Sequence, residues 1–598
     1  MSRSTADGDP DGRVGTLRAS PHRRMGIGFL LIAMVLSVFA ARLVQLQAVD
    51  PGSYAQLAAA EGTVQVMLPA ARGEITDRNG DPLAESVDGT MIVADPHVTS
   101  DHATELARFL TRRLDVDYAD TLAALRAEDS RFQYIARQVP TSKAEDVVAD
   151  AGDEGYPGLF TENDPLRIYP NGDVAANVVG FLGTPEADGS AHALAGLEDR
   201  FNEYLSGTDG EARYQMGAGN QIPLGDHTVT PAVDGHDLRT TIDRDLQWYA
   251  QRVLQQTVEG AKGESGIAVV MDSRTGQLLA LADYPTYDAA DPQEYDSSLY
   301  KSSALTDVYE PGSVEKALTL SSLIDAGLAT PRTRLKVPGK LYRQDRPIGD
   351  YWDHDTLRLT LAGVLAKSSN VGTVLAADEF KPGQLRKYLT AYGLGKRTGV
   401  GLGGETRGIL PRGAAWTDQV DDRISFGQSL SVNAVQMAAA INAIANGGVR
   451  VDPSLVMGSA TLDNGTTIGT GQTTERRVIS ERAAHQTMLM MERVVDPDAG
   501  VAPRAAVAGY RVAGKTGTAQ RVGDECACYD GSTTVSFAGF APADDPRFTV
   551  YVVVHDPVAG SGGGSVAGPA FSQLMSYALR RYGVPPTGKK PNQIPVEW

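Results

Sequence analysis

The sequence predicts an α+β multidomain chain: a single N-terminal transmembrane helix, an extended α+β module, and a larger domain with an antiparallel β-sheet flanked by helices. Three observations predict it. One uncharged apolar run, residues 25–41, stands near the start behind Arg13, Arg18, Arg23 and Arg24. The 598 residues are too many for one ordinary core, and 42% hydrophobic content supports globular structure, so two or more domains are expected. Beyond about residue 236, strand-like runs stand at both ends of a helical middle, the pattern of an antiparallel sheet with helices on its faces.

Residues 1–24, rich in Arg, Asp, Ser and Gly, read as a disordered cytoplasmic arm. The apolar run is short for a membrane span. Leu43, Val44 and Leu46 extend its pattern past Arg42, which can snorkel, giving an anchor over 25–46. Positive-inside logic leaves the N-terminus cytoplasmic. A cleaved signal peptide is the competing reading, because Val38-Phe-Ala40 offers small residues at cleavage spacing; Arg42 and the continuing periodicity favour an uncleaved anchor. Everything after it is then outside the cytoplasmic membrane, where disulfides form. Only Cys526 and Cys528 occur. A bridge between residues two apart is strained, so two free thiols are expected.

Residues 47–235 mix short strands (61–70, 91–94) with helices (104–114, 121–127), an extended module in which Arg72, Asp77 and Arg78 read as an ion-paired brace. In 236–586 the reading is a helix at 245–259, strands at 266–272 and 277–283 joined by a turn at Arg274-Thr-Gly276, and helical stretches around 313–326, 357–378, 382–392 and 433–446. Strands at 534–540 and 548–555 and a packing helix at 570–582 complete the domain. Residues 587–598 are a Pro/Lys-rich tail. A net charge of −19 and a pI near 5.0 argue against nucleic acid as a partner, since phosphate binding needs a basic surface. No Cys/His array suggests a metal, and no cofactor is implied.

Three short motifs carry the chemistry. In Glu310-Pro-Gly-Ser313-Val-Glu-Lys316 the spacing puts Ser313 and Lys316 on one helical face about a turn apart. Pro311 disfavours helix upstream, so Ser313 sits near a first turn whose free N–H groups face an incoming oxyanion. A serine needs a base, and a desolvated lysine beside other cations is neutral enough to serve, which makes Lys316 the candidate. Ser368-Ser369-Asn370 reads as a break between helices. Its Ser368 hydroxyl can relay a proton and its Asn370 amide can meet a substrate backbone; a helix-capping Ser/Asn is the equal alternative. Lys515-Thr516-Gly517-Thr518 precedes two convincing strands. As an edge strand it can pair with an extended peptide, with Gly517 allowing close approach and Lys515, Thr516 and Thr518 holding a carboxylate. The Thr518 and Ser313 N–H groups then make an oxyanion hole. Two cationic lysines converging on one serine would repel, so at least one is expected to be depressed, Lys316 first. No histidine serves the site: His354 reads as a surface or loop residue, which excludes a Ser-His-Asp triad.

Ser-x-x-Lys, Ser-x-Asn and Lys-Thr-Gly in this order resemble the penicillin-binding transpeptidases. Arg72-Gly-Glu-Ile-Thr-Asp-Arg-Asn-Gly80, Arg167-Ile-Tyr-Pro-Asn-Gly172, Gly180-Phe-Leu-Gly183 and Gly196-Leu-Glu198 look like the pedestal signatures of class B members. Thr241-Ile-Asp243, Met271-Asp-Ser-Arg-Thr-Gly276 and Gly427-Gln-Ser-Leu-Ser-Val-Asn433 look like the transpeptidase scaffold. The resemblance covers roughly residues 40–586. It implies a pedestal at 47–235, a transpeptidase domain at 236–586, and peptidoglycan cross-linking. Ser313 would attack the penultimate D-alanine of a stem peptide from lipid II-derived strands, release D-alanine and pass the acyl group to an amine. β-Lactams would acylate the same serine.

No glycosyltransferase-like domain precedes the transpeptidase, so the enzyme reads as monofunctional. No Glu-x-x-Leu-Asn lies between Asn370 and Lys515, where class A β-lactamases carry their deacylating carboxylate, which favours a slowly deacylated target. A membrane β-lactam sensor would bring more spans, and a non-catalytic division scaffold would tolerate lost motif residues. Lys367-Ser-Ser-Asn-Val-Gly372 and the single anchor look more like the septal FtsI-like branch than an elongation enzyme. That branch implies a SEDS-family glycosyltransferase and other divisome membrane proteins as partners.

Overall fold

The computed structural model describes residues 21–44, 63–183, 191–217, 220–221, 227–344, 346–523, 528–560 and 562–598. The apolar run forms the helix Pro21–Val44, whose Met25–Arg42 window is long and apolar enough to cross a membrane and is not buried in the protein. Helix therefore starts inside the segment read as a disordered arm, because Pro21 suits a first helical position and the apolar residues follow directly. Residues 1–20 lie outside the described residues, as does the last part of the expected anchor.

The next module holds three small sheets. Thr63–Leu68 pairs with Gly210–Gly217, Gly89–Ala94 lies between Gln133–Pro140 and Leu159–Asn163, and Pro82–Val87 lies between Ile75–Thr76 and Leu166–Ile168. The middle sheet, with helices Ala103–Arg113, Tyr118–Ala124 and Thr141–Asp153, encloses its own core around Ile92, Leu106, Phe109 and Val147. The Ile75 sheet instead joins the main core. Leu238–Arg239 pairs parallel with Ile75–Thr76, and Ile75, Leu83, Leu197 and Phe201 belong to the same buried cluster as the large domain's strands.

The Arg72, Asp77 and Arg78 brace is corrected: these residues do not pair with one another. Arg72 and Arg167 both donate to the fully buried Glu198, at 2.6 and 2.8 Å, so three motifs far apart in sequence close on one carboxylate. Asp77 accepts from the Asn79, Asp81 and Arg244 backbone N–H groups, and Arg78 lies over the Tyr582 ring.

The large domain is built on a five-stranded antiparallel sheet in the order Leu278–Tyr284, Ser265–Asp272, Phe548–His555, Tyr529–Ala541, Ala513–Val522. Phe548–His555 is buried at every position, so both faces are covered. Arg244–Ala261 and Ala567–Arg581 pack on the sheet and meet through the stacked Tyr249 and Tyr577 rings. The wholly buried Ala434–Ala445 helix starts at a capping box in which Asn433 and Gln436 bond reciprocally.

Several boundaries differ from the sequence reading. Residues 357–378 hold a strand, Leu357–Thr360, then helices Leu361–Ala366 and Asn370–Ala377, because Leu-Arg-Leu-Thr alternates and Thr360 caps the helix after it. Glu481–Val495, capped by Ser480, is a helix the reading omitted. The tail is not a loose end: Val596 and Trp598 pair with the Leu357–Thr360 strand. Cys528 is disulfide-bonded, against the expected free thiol, and Cys526 lies outside the described residues.

Candidate active site

The Ser313 turn is set by its neighbours. Gly312–Val314 is a 3₁₀ turn that runs into the helix Lys316–Asp325, so Ser313 precedes the α-helix rather than opening it. Gly312 adopts φ +54° and donates to the Gly427 carbonyl at 3.0 Å; a Cβ at Gly427 would lie 1.9 Å from the Gly312 oxygen. The Gly427–Asn433 segment thus backs the turn, with Val432 bridged to Tyr309. Glu310, half-buried, accepts from the Ser429 N–H at 2.7 Å and the Tyr529 hydroxyl at 3.0 Å at the rim.

Two buried lysines meet at Ser368. Lys316 Nζ donates to the Ser368 carbonyl at 2.6 Å and to Asn370 Oδ1 at 2.7 Å, and lies 3.5 Å from Ser368 Oγ. Lys515 Nζ donates to Ser368 Oγ at 2.9 Å and to the carbonyl and hydroxyl of Thr516, both at 3.1 Å. The lysines converge on one serine, Ser368, and Ser313 Oγ makes no hydrogen bond among the described residues. Ser368 holds φ +59°, a conformation costly for a side-chain residue and concentrated at functional sites.

Burial pushes Lys316 down from 10.5 to about 7, although Asp350 and Glu315 oppose it. Burial, then the Lys316 charge, pushes Lys515 well below its usual value, so both lysines are depressed. Burial likewise raises Glu315, whose carboxyl accepts from the Thr319 hydroxyl.

The middle motif supplies the helix cap that its sequence allowed. Ser369 caps Asn370–Ala377 through the Gly372 N–H, while Ser368 and Asn370 face the lysines. The Asn370 amide is taken by protein groups, accepting from Lys316 and donating to the Gly349 carbonyl at 2.9 Å. Asp350, which sequence reasoning missed, organises this loop. Its buried carboxylate accepts from Asn370 N, Val371 N and Ser369 Oγ at 2.6–3.0 Å, and His354 Nε2 lies 3.0 Å away. His354 is thus a buried support for Asp350, not a surface residue. Spacing alone could not reveal Asp350, because its partners come from the helix N-terminus that follows.

Lys515, Thr516, Gly517 and Thr518 lie on the edge strand Ala513–Val522. Thr516 is buried and Thr518 exposed. Gly517 is needed, but for the protein's own packing: a Cβ there would lie 2.3 Å from Ser536 Oγ and 2.9 Å from the Pro311 carbonyl. The edge strand therefore presses against the Ser313 turn, and a Cβ on Gly312 would come 3.2 Å from Thr518 N.

Two family models match the chain: the penicillin-binding protein transpeptidase domain over residues 266–576 and the penicillin-binding protein dimerisation domain over residues 67–240. The chain belongs to the class B penicillin-binding proteins. Among relatives of this class B protein, the penicillin-binding protein PbpB of Mycolicibacterium smegmatis is 35% identical over 93% of this chain and 90% of its own length. The peptidoglycan D,D-transpeptidase FtsI of Escherichia coli is 31% identical over 93% and 91%. Among solved structures, a peptidoglycan synthetase from Bifidobacterium adolescentis matches 90% of this chain and 100% of its own with a TM-score of 0.70 and 31% identity. Penicillin-binding protein 3 of Mycobacterium tuberculosis, complexed with aztreonam, matches 89% and 100% with a TM-score of 0.68 and 30% identity.

Proposed function

We propose that this class B penicillin-binding protein, a peptidoglycan D,D-transpeptidase, works through Ser313, with Lys316 as its base and Ser368 as the proton relay. The observation that carries the reading is the convergence of Lys316 and Lys515 on Ser368 beside the Ser313 turn. Lys316 is the neutral lysine in this reading: two close acceptors take its N–H groups, with Ser368 Oγ 3.5 Å away, which leaves a lone pair for the Ser313 proton. Burial lowers both lysines, and part of the Lys515 shift comes from a charge on Lys316 that vanishes once Lys316 is neutral.

The lone pair of Lys316 takes the Ser313 proton as Oγ bonds to the penultimate D-alanine carbonyl carbon. The amide C–N bond breaks, and the proton passes through Ser368 to the leaving D-alanine amine. In the second half an acceptor amine attacks the ester, the C–O bond breaks, and Ser313 regains its proton. The Ser313 and Thr518 N–H groups stabilise the oxyanion. The donor peptide pairs along the Ala513–Val522 edge, its carboxylate held by Lys515, Thr516 and Thr518. Asn370 acts by orienting Lys316. β-Lactams form the same acyl bond and remain.

Labelled penicillin should form a stable adduct on wild type and none on Ser313→Ala; rapid turnover, or labelling of the variant, would overturn the reading. The Met25–Arg42 helix serves as a single-pass anchor in the cytoplasmic membrane, with the N-terminus inside and residues 47–235 as a pedestal beneath the 236–586 domain. The likeness to a protein named FtsI favours the division septum, with lipid II-derived strands as substrate and a SEDS-family glycosyltransferase and divisome proteins as partners. Midcell labelling by a fluorescent fusion supports this role, and lateral or polar labelling supports elongation.

A further inference from the structure

We propose that residues 592–598 act as a strap that positions the Ser368 loop for acyl transfer. The last three residues of the segment bridge to Leu357–Thr360, whose other edge pairs with Arg334–Val337. Thr360 N–H donates to the Val596 carbonyl at 3.0 Å, Trp598 N–H donates to the Arg358 carbonyl at 3.1 Å, and Glu597 stands opposite Leu359. Backbone pairing of this kind fixes register along its whole length.

The strap grips both ends of the short helix that leads into Ser368. At its start, Thr360 Oγ1 donates to the Pro595 carbonyl at 2.6 Å while accepting from the Gly363 N–H at 3.1 Å. At its end, Lys367 Nζ lies 3.1 Å from Glu597 Oε1. Between them a Cβ on Gly363 would lie 1.8 Å from the Val596 oxygen, so the helix carries a glycine where the strap crosses it. Trp598 fastens the far end. Its indole N–H donates to the Leu359 carbonyl at 3.1 Å, and the Arg334 and Arg358 guanidiniums lie 5.0 and 5.5 Å from its ring centroid. Asn592 ties the near end to the Leu489 carbonyl of Glu481–Val495.

What the helix delivers is Ser368, a non-glycine residue at φ +59° that touches both lysines. Such a conformation persists only where its surroundings over-determine it. The strap supplies that constraint from the side away from the lysines, and its residues act through Ser368. The inference rests on the catalytic reading above.

The experiment compares wild type with a chain lacking 592–598, Gly363→Ala, Trp598→Ala and Trp598→Phe, following acylation by fluorescent penicillin and hydrogen exchange of the 361–370 amides. The deletion and Gly363→Ala should lower the acylation rate constant about tenfold or more with reversible binding of the drug little changed, since small misplacements cost that much. Exchange of the 361–370 amides should rise in step. Trp598→Phe, which keeps the ring under the two guanidiniums, should hold close to wild type while Trp598→Ala falls. If the longer changes prevent folding, the Trp598 pair decides. Wild-type acylation and exchange in Gly363→Ala and Trp598→Ala would overturn the strap. Loss of acylation in wild type itself would instead sink the Ser313 reading, and the exchange measurement would still judge the strap.

Discussion

Lys515 Nζ lies 2.9 Å from Ser368 Oγ, so the lysine of the edge strand reaches across the site to the hydroxyl of the helical half. That bond joins the two halves of the domain at the point where Lys316 also arrives, on the Ser368 carbonyl.

The rate of acylation should rise with pH through about 7, because Lys316 must lose its proton to act as base and burial places its titration there. In Lys316→Arg the guanidinium stays charged, so acylation should drop about 10²–10⁴-fold and lose that rise. Stopped-flow acylation over about two pH units either side of 7 gives both readings. An unchanged profile in the variant would remove Lys316 as the base.

Ser368→Ala should slow acylation by about 10²-fold or more and lower stability by about 1–3 kcal/mol, since the buried Lys515 loses an acceptor. It removes the acceptor shared by the lysines but keeps the backbone carbonyl that holds Lys316. Single-turnover acylation beside thermal unfolding separates the two effects.

Gly427→Ala should damage activity more than stability. Its Cβ would lie 1.9 Å from the Gly312 oxygen at φ +92°, so the Ser313 turn must shift. Acylation should fall about 10²-fold, against a stability loss of about 1–3 kcal/mol. Equal acylation would show that the turn tolerates the displacement.

Glu198→Gln should do the reverse. The Arg72 and Arg167 guanidiniums would lose their shared buried carboxylate, costing about 3–5 kcal/mol. Folded protein should still take up penicillin at the wild-type rate, measured on the soluble fraction beside a denaturant titration.

The site was legible where spacing encodes geometry. Ser313, Lys316, Ser368, Asn370 and Lys515 stand in short motifs, and the structure joins Lys316, Ser368, Asn370 and Lys515 by hydrogen bonds. Asp350 was not legible, because a loop carboxylate gains meaning only once the Asn370–Ala377 helix is placed over it. The helix Glu481–Val495 carried a usable signal, a Ser480 cap before an amphipathic run. In residues 587–598 the Pro/Lys-rich composition gave no sign of a docked segment, because the seating of Val596 and Trp598 is decided by Gly363, Arg334 and Arg358, more than two hundred residues away.

The separate core around Ile92, Leu106, Phe109 and Val147 divides the protein by cooperativity rather than by sequence. Ile75, Leu83 and Phe201 melt with the large domain because they share its interior, whereas the Gly89–Ala94 sheet and its helices have an interior of their own to lose. A protease or chaperone can therefore open that lobe as an independent unit and leave the serine and its lysines assembled.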